Sequence, residues 1–164
     1  MSELIANPIY FFVLPALIIY AACSDLFRMR ISNFVCLSIA AAFYIFAFAE
    51  GIAFEQILVQ SGFSFLVLVG CFLLFMTGLF GGGDAKLIAA LSLWMGVQDN
   101  FEFFFLFSLL GGGLTLLIVF LRQYRPMLYR LQPYLGHVSN PANGIPYGIA
   151  ISMAAIMQIY SLSV

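Results

Sequence analysis

The chain has 164 residues, of which 64% are apolar and only 8% charged, with a formal net charge of −1 and a mean hydropathy of +1.09. A water-soluble domain of that length carries about a quarter of its residues as charges, and disordered chains are poor in aromatics, whereas this one holds 19 Phe and 8 Tyr. Both classes are excluded, and six scattered cations make no polybasic patch for nucleic acid.

An integral membrane protein remains, with residues 1–164 forming one membrane domain. Transmembrane barrel strands alternate apolar and polar residues in short segments, but runs such as Ile57–Phe80 are apolar on every face. The expected spans are therefore helices, which satisfy their own backbone hydrogen bonds in lipid. The first, Pro8–Ser24, follows a stretch whose only charge is Glu3. It lacks the basic start of a cleavable signal peptide and reads as a retained span. Phe34–Ala49, Ile57–Phe80, Ala85–Val97, Phe103–Leu121 and Ile145–Val164 follow. The connections are Asp25–Asn33, Glu50–Gln56, Gly81–Asp84, Gln98–Glu102 and Arg122–Gly144.

The fourth span is short, since Ala85–Val97 reaches only about 20 Å at about 1.5 Å per residue. Either it runs on through Asp99 and Asn100, or Gly81–Gly83 dips below the membrane surface and carries Asp84 into a wet pocket. The fifth connection interleaves Tyr124, Tyr129 and Tyr134 with arginines and reads as an interfacial segment.

Six spans put both termini on one side and sort the charges. Arg28, Arg30, Lys86, Arg122, Arg125 and Arg130 all fall on the other side, which the positive-inside rule makes cytoplasmic. Glu3, Glu50, Glu55, Asp99 and Glu102 fall on the side of the termini. Asp25 and Asp84 break the pattern, as the two acids on the cytoplasmic side.

These two acids carry the chemistry. Asp84 sits in Gly81-Gly82-Gly83-Asp84-Ala85-Lys86, after three residues without side chains that admit a close backbone or ligand. The plain alternative is tight helix packing by the glycines and helix capping by Asp84. Asp25, in Ser24-Asp25-Leu26-Phe27-Arg28, has its own plain alternative, an ion pair with Arg28 one turn away. If the two carboxyls meet, they can share a proton, one activating water and the other donating to a substrate carbonyl. Helix-dipole arguments make Asp84, at a helix N-terminus, the base and Asp25, at a helix C-terminus, the acid. Gly81, Gly82, Gly83 and Lys86 are assigned to substrate and backbone positioning; Lys86 is equally suited to snorkelling, to a lipid phosphate or to offsetting the aspartate charges.

Other residues carry less. Cys23, Cys36 and Cys71 sit in apolar runs as packing residues, and His137 is a lone loop histidine, so neither metal nor any other cofactor is expected. Gly111-Gly112-Gly113 suits close packing or a bend, while Pro15 and Pro146 kink or start their helices.

On these residues the chain resembles the type IV prepilin peptidases, intramembrane aspartic proteases with a G-x-G-D motif. Gly81-Gly82-Gly83-Asp84 fits that motif and Lys86 its usual extension. Asp25 with Arg30-Ile31-Ser32-Asn33 resembles the first aspartate and its downstream Arg-Ile-Pro-Asn stretch, with Ser32 in place of Pro. Ile145-Pro146-Tyr147-Gly148 is similar to the opening of the family's last span. The resemblance implies catalytic aspartates at Asp25 and Asp84. It also implies cleavage of a basic leader from prepilin or pseudopilin substrates at the cytoplasmic face of a bacterial inner membrane, with both termini periplasmic. The chain looks like the short, peptidase-only form of tight-adherence (Flp) pilus systems, without the methyltransferase domain. The alternative from another class is a small proton-coupled transporter or channel subunit, which also wants boundary acids and glycine-broken helices.

Overall fold

The computed structural model describes residues 9–78, 81–123 and 144–163, and among them every regular element is helical. A π-helical turn at Ile9–Val13 leads into α1, Leu14–Arg28. Pro15 stands in the first turn of α1, where its missing N–H costs no hydrogen bond. Helix α1 stops at Met29, whose left-handed backbone (φ 51°) turns its N–H onto the Asp25 carbonyl at 2.9 Å. Ser32 opens α2, Asn33–Ala49, by accepting the Phe34 N–H on its hydroxyl at 3.2 Å. Helix α3 is Phe54–Met76, α4 is Gly82–Gln123 and α5 is Tyr147–Ser163.

Helix α4 is 42 residues long; as one rod it would extend about 63 Å, twice the hydrocarbon thickness of about 30 Å. It folds back instead. Gly96 holds φ 71° and ψ 165°, a region essentially confined to glycine. Asn100 then donates to the Ser92 carbonyl at 3.0 Å and to that of Gly96. Eight residues of unbroken helix would separate Asn100 from Ser92 by about 12 Å, so the chain must reverse between them. The fourth and fifth sequence segments are thus two limbs, 82–95 and 97–123. The expected connection at Gln98–Glu102 is corrected: those residues are helical, and the turn is Gly96.

The contacts give an up-and-down arrangement of six helical segments. Tyr10 donates to the Ile159 carbonyl (3.4 Å) near one end of α1, and Gly148 to Asp25 near the other, so α1 and α5 are antiparallel. Lys86 to Asn33 and Trp94 to the Ile39 carbonyl set α2 alongside the first limb of α4 in the same direction. Ser64 bonding the Ala89 carbonyl at 2.7 Å, with Phe75 beside Gly82, runs α3 against that limb. The second limb opposes α5 through Glu102–Gln158 (2.9 Å) and Thr115–Tyr147 (2.9 Å). At the centre Trp94 packs on Phe46, Phe43 and Tyr10, with ring centroids 5.3, 5.6 and 6.1 Å apart.

The outside is apolar. Ile9–Arg28, Phe54–Met76 and Gly82–Gln123 are long and apolar enough to cross a bilayer, while Asn33–Ala49 and Tyr147–Ser161 are shorter apolar helices. Helix α3 buries only Ile57 and Ser64 and leaves Phe65, Leu66 and Leu73 more than half exposed, a surface that only lipid or another apolar body can cover. The ends differ in charge. Arg28, Arg30, Lys86 and Arg122 gather at the end that holds Asp25 and Asp84, whereas Glu50, Glu55, Asp99 and Glu102 gather at the other. Glu3, Arg125, Arg130, His137 and the tyrosines of the fifth connection lie outside the described residues.

The turn yields a stability test. Gly96→Ala puts a Cβ on a backbone that only glycine tolerates, where it meets Gln60 Nε2 at an ordinary contact distance of 3.9 Å, so its cost is dihedral strain of about 1–3 kcal/mol. Unfolding in mixed micelles should show that loss for Gly96→Ala and none for Gly70→Ala, a helical position with nothing within 4 Å of its Cβ site.

Candidate active site

Asp25 lies in the last turn of α1, 6% exposed. Its Oδ2 accepts the backbone N–H of Gly148 at 2.7 Å. Gly148 is the second residue of α5, so the positive dipole end of that helix points at the acid. The approach is too close for a side chain: a Cβ on Gly148 would stand 2.7 Å from Oδ2 and 2.9 Å from Cγ of Asp25. Tyr147 fixes this start of α5. Its hydroxyl meets Thr115 Oγ1 at 2.9 Å, and its ring lies 3.3 Å from where Gly111 would carry a Cβ. Gly111 is the packing position of the Gly111–Gly113 triplet, since Gly112 and Gly113 face open space.

Asp84 is the third residue of α4 and half-buried. The three glycines before it are each small for a separate reason. A Cβ at Gly81 would stand 2.5 Å from Asp84 Oδ2, one at Gly82 would stand 3.3 Å from the Phe75 ring, and one at Gly83 would stand 3.2 Å from Ile31 Cβ. Gly82 and Gly83 are helical, which corrects the expectation of a non-helical glycine segment that carries Asp84 into the membrane. The fourth segment instead gains a turn at its start. Among the described residues the Asp84 carboxyl receives no hydrogen bond, so it does not cap α4 with its side chain. Nor does Asp25 pair with Arg28; its partner is the Gly148 amide.

The two acids therefore share one end of the bundle, where Ile31, in the segment after Asp25, stands against Gly83, the residue before Asp84. Lys86, exposed, donates from Nζ to Asn33 Oδ1 at 2.9 Å. The described residues contain no group of three His, Cys, Asp or Glu that could hold a metal ion. A cavity of about 670 Å³ opens at the opposite end, lined by Glu55, Gln56, Gln60, Gly96, Gln98 and Asp99 among others, and it does not include the aspartates. Sequence reasoning named both acids, the glycines and Lys86 but missed the donor role of Gly148 and the partner role of Asn33. The Pro146-Tyr147-Gly148 start of the last segment was the available signal for the first.

Compared with known proteins, residues 12–116 match the model of the type IV leader peptidase family. That stretch includes Asp25, the glycine triplet, Asp84 and Lys86 and ends before Gly148. No curated protein and no solved structure matches the chain.

The contact at Gly148 predicts a contrast between two glycines. Gly148→Ala forces a methyl group into the Asp25 carboxyl and should cost about 1–3 kcal/mol in micelle unfolding. Gly112→Ala meets nothing within 4 Å and should be neutral or slightly stabilising through helix propensity, within about 1 kcal/mol.

Proposed function

Since the chain belongs to the type IV leader peptidase family, we propose that it is an aspartic endopeptidase in which Asp25 and Asp84 hydrolyse one peptide bond of a pilin-like precursor. What supports this reading is that both acids lie at one end of an apolar bundle, Asp25 bonded to a helix N-terminus and Asp84 in the first turn of α4, where the described cations gather. Such a pair can share one proton. The Gly148 amide favours the anion at Asp25, because an N–H donor needs an acceptor; Asp84, to which none of the described residues donates, carries the shared proton. Asp25 then takes a proton from water as the water oxygen bonds to the scissile carbonyl carbon, and Asp84 gives its proton to the carbonyl oxygen. Collapse of the tetrahedral diol breaks the C–N bond: Asp25 gives its proton to the leaving nitrogen, while one diol hydroxyl returns its proton to Asp84 as the C=O re-forms, which restores the pair. This reverses the roles expected from the dipoles of α1 and α4 alone. The α5 N-terminus, aimed at Asp25, outweighs the C-terminus of its own helix.

The cellular setting follows the charges. The six segments cross a bacterial inner membrane with both termini periplasmic, and the aspartates lie at the cytoplasmic face, where a basic leader is available. The apolar helix of a single-span prepilin or pseudopilin docks from the lipid, and its leader enters the dyad. The chain's substrates are Flp-type pilins.

Co-expression with a candidate prepilin tests the chemistry. Wild type should remove the leader, seen as a gel shift, while Asp25→Asn and Asp84→Asn should each lower cleavage by at least about a thousandfold and still insert, because dyad members act as a unit. Asp99→Asn, at the opposite end, should cleave like wild type. Equal cleavage by wild type and either dyad variant would eliminate the aspartic mechanism. The orientation has its own test: in a cysteine-free background, Glu55→Cys should react with an impermeant thiol reagent added from the periplasm, and Gly144→Cys only after the membrane is opened.

A further inference from the structure

We propose that Lys86 and Asn33 form a clasp that sets the separation of the two aspartates, and this rests on the peptidase reading above. Asp25 and Asp84 make no hydrogen bond to each other, so other contacts must hold two like-charged groups at a working distance. Their helices do little of this directly, because α1 packs mainly on α5 and α2, while the first limb of α4 packs on α3 and α2.

The link runs through the short segment between Asp25 and α2. That segment is fixed at both ends. Met29 bonds back to the Asp25 carbonyl at 2.9 Å, Ser24 Oγ holds the Arg30 carbonyl at 2.8 Å, and Ser32 caps α2. Asp25 and Asn33 therefore behave as one unit. Asp84 and Lys86 form the other, two residues apart in the first turns of α4. Two contacts join the units: Ile31 against Gly83, at 3.2 Å from its Cβ site, and the Lys86 ammonium on Asn33 Oδ1 at 2.9 Å. The first supplies a stop in one direction. The second supplies a tether with a defined length, and it turns Nζ toward an amide rather than leaving it to snorkel toward lipid headgroups. Lys86 and Asn33 are thus positioning residues, and neither touches the reacting atoms.

The test is a double-mutant cycle on purified protein in micelles with a synthetic prepilin peptide, joined to a readout that needs no catalysis. Lys86→Met and Asn33→Ala should each lower kcat about tenfold while KM changes less than about twofold. The double variant should be no worse than either single one, because both break the same link. Lys86→Arg, which keeps a donor of similar reach, should restore most of kcat. Singles that cleave like wild type, or effects that multiply in the double variant, would overturn the clasp; multiplied effects would assign Lys86 to lipid phosphate or to direct action on the dyad. Separately, Ile31→Cys with Gly83→Cys, in a background without the native cysteines, places two thiols on Cβ sites 3.2 Å apart, which must open by a few tenths of an ångström to reach the disulfide range of about 3.5–4.5 Å. Oxidation should close it quickly with Lys86 present and several-fold more slowly in Lys86→Met, whereas equal rates would count against the clasp. If wild type cleaves no prepilin yet the cross-link depends on Lys86, the clasp stands and the peptidase reading falls.

Discussion

The reversal at Gly96 is the constraint on which the rest of the fold depends. An apolar helix of 42 residues has no place in a bilayer about 30 Å thick unless it doubles back. One residue in a backbone region closed to side chains accomplishes this. The return limb then lies along α5, where Gly111 and Thr115 seat the Tyr147 ring and hydroxyl. Tyr147 starts α5 one residue before Gly148, and Gly148 holds Asp25. A straight α4 would remove the wall against which the last helix is built, and with it the only hydrogen bond Asp25 receives among the described residues.

Electrostatics explains why the last helix matters so much. An acid in an apolar bundle is costly, and Asp25 is nearly sealed from solvent. Its own helix offers no help, because the C-terminus of α1 presents carbonyl oxygens. Helix α5 meets it with amide donors instead, and the missing side chain at Gly148 lets the N–H arrive at 2.7 Å. Asp84 has the opposite setting, half-buried and without a donor among the described residues. The two carboxyls are thus differently placed before any substrate arrives.

Much of this was legible in the sequence, and what was missed has a physical cause. Period and length located the helical segments, and charge placement located their ends, because lipid admits few alternatives to apolar helices. The acids stood out for the same reason. The turn between the fourth and fifth segments was expected a few residues late because Gln98, Asp99 and Asn100 are polar enough to read as a loop. They stay helical because Asn100 satisfies the carbonyls of Ser92 and Gly96 with its own side chain. The local dipoles weighed at Asp25 left out that of α5, whose amide reaches the acid from 123 residues away in sequence. Lys86 admitted several readings since its partner, Asn33, lies 53 residues earlier. Pairings of that range are set by packing, and no local pattern encodes them.

The two ends of the bundle show why polarity alone is a poor guide to chemistry in such a protein. The cavity beside Glu55, Gln60 and Asp99 is the more polar place, but Glu55 and its neighbour Gln56 are exposed, and a carboxyl in water carries little strain and little information. At the other end the acids are few, Gly81 and Gly148 lie against the two carboxyls, and Phe75 and Ile31 stand against Gly82 and Gly83. There the surroundings have been emptied of side chains so that backbone and carboxyl can approach each other. A residue type that contributes no atoms of its own, Gly81, Gly83 and Gly148, therefore marks the site more sharply than any polar residue except the two aspartates.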